Sequence, residues 1–278
     1  MRSAELGAPR PGALRGTLAA LPAMLRVRFS ETLAWRAELL VWVLAYTMPL
    51  IMLALWTAVA REAPVGRFGE QEFRAYFLAT LVIRLLVASW VVWEMTFEIR
   101  QGQVANRLLR PVHPLVSYAV QQAAALPLRI VLATPIALAA LAWIGVGSLT
   151  DDWRQLAVLP LTLLGAWLLT FAVMALIGSL AFFWESALGV FDVWLGLYTV
   201  FSGYVMPLEL FPPALRAVAE WLPFRAMLSL PVETVLGLAT WDETVRALGV
   251  QWAWVALFAA GAVLTWRAGA RRYSAFGG

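Results

Sequence analysis

With 278 residues, 62% of them apolar and only 14% charged, this chain departs far from the roughly one-quarter charged composition of soluble domains and is read as an integral membrane protein. Its net charge of +4 and pI near 9.9 do not point to nucleic acid, because all 21 basic residues are Arg and they stand at the edges of hydrophobic runs, as positive-inside topology requires. The absence of Cys excludes disulfides and thiolate metal sites, the single His113 cannot build a histidine metal site, and the absence of Lys rules out a standard phosphate-binding loop, so this chain is not expected to hydrolyse ATP itself.

Taken in order, residues 1–12, with Gly7, Pro9 and Pro11, read as a tail. Over residues 13–36, Leu14, Leu18, Leu21, Leu25, Phe29 and Leu33 recur at spacings of three and four, with Arg15, Arg26, Arg28, Glu31 and Arg36 on the polar side. Two readings stay open: a helix lying in the cytoplasmic interface, or one that caps the bundle. No secretory signal is expected, because the longest uncharged run before residue 39 is broken by Pro22. Residues 1–38 are thus assigned to a cytoplasmic tail and interfacial helix, and residues 39–278 to an all-α domain of six transmembrane helices.

Residues 39–60 provide 22 uncharged positions, enough at about 1.5 Å each to cross a core of roughly 30 Å. A mixed-charge external loop, 61–74, leads to a second span, 75–97, with Arg84 near its middle and Glu94 near its inner end. An Arg at that depth either pairs structurally or meets substrate. The third span is placed at 128–147, with residues 115–127 leading up to it and Arg129 snorkelling to the interface. After an external loop holding Asp151 and Asp152, residues 156–184 form the fourth span and 188–206 the fifth, which carries Asp192. Residues 207–246 contain Pro207, Pro212, Pro213, Pro223 and Pro231 and are too broken to span yet too apolar for an ordinary loop. Two short helices dipping into the outer leaflet over 207–237 fit best, the other reading being a lid that seals the bundle. The last span covers 247–266. In this scheme inner regions hold 13 Arg and outer regions seven Arg with ten acids, so both termini are expected in the cytoplasm.

Between the second and third spans lies the longest polar, cationic interruption, Glu98-Ile-Arg-Gln-Gly102 through Leu108-Leu-Arg-Pro-Val-His-Pro-Leu115. Val104, Leu108 and Leu109 are expected on one face of a short helix, with Arg100, Arg107 and Arg110 off that face, and Pro111 and Pro114 ending it. A second motif, Phe201-Ser-Gly-Tyr-Val-Met-Pro-Leu208 followed by Leu222-Pro-Phe224, precedes the last span.

On these two segments, their order and the six-span pattern, nearly the whole chain resembles the membrane subunit of a type-2 ABC transporter, close to the short bacterial permeases paired with a separate ATPase. The resemblance implies that the 98–115 segment is a coupling helix, with Glu98, Arg100, Gly102, Val104, Leu108, Leu109, Arg110 and Pro111 engaging an ABC ATPase subunit. It also implies that Pro207, Pro212 and Pro223 belong to an external gate, and that a second permease chain completes the pathway in the bacterial plasma membrane. ATP and Mg would sit on the ATPase, with no cofactor on this chain. From a different class, a secondary transporter or channel would need midplane ionisable residues or an inverted repeat, and no convincing repeat is seen. A non-transporting membrane scaffold is the third reading.

Overall fold

The computed structural model describes residues 22–27 and 47–273. Residues 22–27 are helical. The rest of the expected interfacial helix, and residues 39–46 of the first expected span, lie outside the described residues. The described chain is helical: α1 Met48–Glu62, α2 Glu70–Val87, α3 Val91–Arg100, α4 Val104–Leu108, α5 Pro114–Ala124, α6 Leu126–Ile144, α7 Trp153–Ser179, α8 Ala187–Phe201, α9 Pro213–Trp221, α10 Pro223–Met227, α11 Ser229–Leu236 and α12 Trp241–Arg272.

Four runs among the described residues are long and apolar enough to cross a membrane: Glu70–Arg100, Pro114–Ile144, Trp153–Phe182 and Trp241–Arg272. The apolar Ala187–Phe201 is shorter. The first run is the buried one, with 78% of its most apolar stretch inside the protein against 11% for Trp241–Arg272. Helices bare on one apolar side need a non-aqueous surrounding, and Leu257 and Leu264 of α12 are both at least 60% exposed.

At the centre α7 packs against α12, α3, α2 and α11. Small residues let the backbones approach, since lipid supplies no hydrophobic drive between helices. A Cβ at Gly178 would stand 2.9 Å from the Cβ of Met95, and one at Gly165 would collide with Gln251. That Gln251 is fully buried and donates through Nε2 to the Thr162 carbonyl (3.0 Å) and to the Ala226 carbonyl (2.7 Å), tying α12 to α7 and α10.

The loops sort onto two ends. At one end lie the 98–113 loop, the 180–186 turn and the C-terminal end of α12, joined through Phe182, Trp266 and Tyr273. At the other lie the 62–69 loop, 145–152 and the 202–240 region, joined by Arg67 to the Leu238 carbonyl, Gln155 to the Ala239 carbonyl and Thr150 N–H to the Val235 carbonyl.

Three features differ from expectation. The second span is not continuous, because Ala88 is extended (φ −62°, ψ 142°) and separates α2 from α3. The Arg129 guanidinium turns inward to donate to the freed Ala88 carbonyl instead of leaving for the interface, as a backbone break at membrane depth requires. The last helix begins at Trp241, six residues earlier than the expected span. A capping box starts it there: Thr240 N–H donates to Glu243 Oε2 at 2.8 Å, and Glu243 N–H donates back to Thr240 Oγ1.

Candidate functional site

The 98–113 loop is built on a buried ion cluster. The chain leaves α3 through Gln101 and turns at Gly102, whose φ of +76° lies in the left-handed region that side chains disfavour. It re-enters the helical region for only five residues in α4. Val104 and Arg107, three apart, then fall on the inward face, where Val104 is fully buried and Arg107 is 6% exposed. After Arg110 and Pro111 the chain reaches His113, whose Nδ1 accepts from the Leu115 N–H at 3.3 Å and caps α5.

Arg107 holds this arrangement together. Its Nε and Nη2 donate to the two oxygens of Glu98 at 2.6 and 2.7 Å, the planar fork that a guanidinium matches to a carboxylate. Nη2 also donates to Glu94 at 2.6 Å, and Nη1 to the Ser117 hydroxyl at 3.1 Å. Around it, the Tyr118 hydroxyl donates to Glu98 at 2.5 Å and Gln121 Nε2 donates to Glu94 at 2.7 Å. The guanidinium lies over the Tyr118 ring, 3.9 Å from its centroid, and that ring meets Trp266 of α12 edge-on. Burial works against the charge, but the Glu98 bond, Tyr118 and the two carboxylates outweigh it, and the Arg107 pKa lies above the ordinary arginine value. One residue therefore links α3, α4 and α5.

Against this base the outer face of α4 is bare: Leu108 is 39% and Leu109 85% exposed, with Arg100, Arg110 and Pro111 exposed beside them. The reading of the loop is corrected at two places. Val104 packs inward and is not available as an anchor for a partner, and Arg107, expected on the exposed side, is the buried keystone. Glu98 faces Arg107 and shapes the loop from within. A signal for the cluster existed in the sequence, since Glu94 and Glu98 are four apart, as are Ser117 and Gln121, giving each flanking helix a short polar stripe that a membrane-facing side would not carry.

The other candidates lie elsewhere. Arg84 is 9% exposed, roughly 20–25 Å from either end of the Glu70–Arg100 run at helical rise. It donates to the Tyr198 hydroxyl at 2.8 Å and lies over the Tyr198 and Tyr204 rings. Asp192 is exposed on another face of α8, and among the described residues no ion pair between it and Arg84 is seen. Pro207, Pro212 and Pro223 each stand at the start of a short element, with Pro207 and Pro223 buried. The segment they punctuate sends Phe224, Met227, Leu228 and Leu230 into the core, so much of 207–237 is packed structure.

Several long apolar helices, sorted loops and a buried ionic base under one loop define a multi-pass helical membrane protein. Residues 44–277 match the family described as ABC-2 family transporter protein, and the chain belongs to that family. Among curated proteins, none matches the chain. Membership makes it a membrane permease component of an ABC transporter, with an ATPase as partner.

Proposed function

We propose that this chain is the permease subunit of an ABC exporter, pairing with a second permease chain around the substrate pathway and driven by a separate ATPase that docks on the 98–113 loop. The observation that carries this reading is the pairing of opposite surfaces on one short helix, with Leu108 and Leu109 bare outside and Arg107 locked inside. An apolar anchor transmits force only if its base is rigid, and the cluster ties that base to two helices of the bundle. When the ATPase closes on ATP and Mg, a push on Leu108 and Leu109 passes through Arg107 to Glu94 and Glu98 on α3, and so to the break at Ala88. This chain supplies no ATP-binding residues. The end bearing the loop and the C-terminal end of α12 is then cytoplasmic, in a bacterial inner membrane, in keeping with exposed Arg100, Arg110, Arg271 and Arg272 there. Leu109→Asp, which sets a carboxylate against an apolar groove, should abolish copurification of the ATPase while leaving the permease in the membrane. Full assembly and substrate-stimulated turnover in that variant would remove the loop from coupling.

A further inference from the structure

At the end opposite the 98–113 loop, a cavity of about 290 Å³ opens beside α9, the 237–240 turn and the start of α12. Its buried side carries the Arg225–Glu233 ion pair (2.7 Å), and the Arg67–Glu209 pair (2.6 Å) forms part of its wall. Those charges answer one another, and so do Arg216 and Glu220, a third lining pair at 2.9 Å. Two further lining groups stand three residues apart on α12, on neighbouring positions of one face. The Arg246 guanidinium makes one bond among the described residues, from Nε to the Asp242 carbonyl at 3.3 Å, so its terminal nitrogens are open to a ligand. Glu243 spends Oε2 on Thr240, while Oε1 has no donor among the described residues.

The cavity is at the small end of the roughly 300–1,000 Å³ range of ligand pockets, room for a polar head group and not for a whole amphiphile. Its lining includes Trp221, which is 72% exposed. With Leu215 and Val218, both also exposed, Trp221 recurs every third residue and makes an uncovered apolar stripe along α9. A small cavity with one cation and one anion outside its three ion pairs, beside a bare apolar stripe, has the form of an amphiphile site.

We propose that this cavity binds the zwitterionic head group of a membrane amphiphile, with its phosphate on Arg246, its amine on Glu243, and its tail along Leu215, Val218 and Trp221. This goes beyond the permease reading and does not depend on ATPase docking. An anionic head group without an amine offers no donor to Glu243 Oε1, and a soluble zwitterion gains nothing from the stripe.

Binding of dihexanoyl phosphatidylethanolamine to the purified chain, followed by native mass spectrometry, tests the site. Dihexanoyl phosphatidylglycerol and soluble phosphoethanolamine serve as comparison probes. The expected result is preferential retention of the phosphatidylethanolamine, weakened about tenfold by Arg246→Gln, the loss of one charge-assisted contact. Val218→Ser should weaken the lipid and leave the soluble probe unchanged, and Arg154→Gln, on an exposed residue outside the cavity, should bind as the native chain does. Equal binding of phosphatidylglycerol overturns the zwitterion, equal binding of phosphoethanolamine overturns the amphiphile, and native-like binding by a folded Arg246→Gln overturns the location. Because no ATPase is present, each of these failures is separate from a failure of the coupling reading.

Discussion

Replacing Arg107 with Met keeps a long side chain at the position but removes the cation that, among the described residues, bonds both Glu94 and Glu98. The two carboxylates sit four residues apart on α3 with side-chain exposures of 24% and 16%, so they would be left close together and poorly hydrated. Breaking a buried pair by deleting one partner costs about 3–5 kcal/mol, and the partial solvent access of the carboxylates argues for the lower figure. At about 3 kcal/mol, local opening rises about 140-fold. The loss should fall on the loop, because the Arg107 bonds end on α3 and α5 while the bundle core around α7 is untouched. Hydrogen exchange on peptides covering residues 98–117 should therefore accelerate by about two orders of magnitude, with peptides of α7 near native rates. Adding Glu94→Gln and Glu98→Gln should recover much of the protection, since the two neighbouring carboxylate charges are then gone. Exchange within threefold of native in the single variant would refute the keystone role.

Gln251→Leu should destabilise the chain by about 1–3 kcal/mol in thermal unfolding, because it strips the Thr162 and Ala226 carbonyls of a buried donor. Unchanged stability would show that the bridge carries no net weight. Although the His113 ring keeps exposed surface, the atoms packed about it and then Arg267 hold its pKa below the ordinary imidazole value. The unfolded loop thus binds the proton more readily than the folded one, so the α5 cap is fully present above about pH 6.5 and is lost as pH falls through the lower folded value. Intrinsic-rate-corrected exchange at Leu115 and Val116 should rise on acidification in the native chain and stay flat in His113→Asn, which keeps a capping acceptor; matching pH profiles would contradict the role of the ring. Single Cys residues at Gly66, Asp152 and Thr240 should be labelled from one side of intact cells and Gln103 protected; labelling of Gln103 from that same side would break the sorting of loops.

The long helices were legible because continuous apolar runs bounded by Arg leave few alternatives, and Gln103 and Gly66 could be assigned to opposite ends on that basis. The break at Ala88 was not, since Leu86-Val-Ala-Ser-Trp90 holds neither Pro nor Gly and the Arg129 contact that marks it comes from 41 residues away. Thr240-Trp-Asp-Glu243 is a recognisable capping box, yet Asp242, Glu243 and Arg246 read together as a polar loop and concealed the helix start. Arg107 was misplaced because a five-residue helix has too few positions for hydrophobicity to choose its inner face; the tertiary partners on α3 and α5 decide it. The outward Leu108 and Leu109 were readable from pattern alone, and Val104 was not, for the same reason.

The most direct measurement is photocrosslinking from position 109 in membranes that hold the assembled transporter. A photoreactive side chain replacing Leu109, which is 85% exposed, should join the chain covalently to the ATPase subunit, while the same probe at Leu257, on the bare face of α12, should not. Capture of lipid alone at position 109, with the ATPase present and active, would contradict docking on this loop.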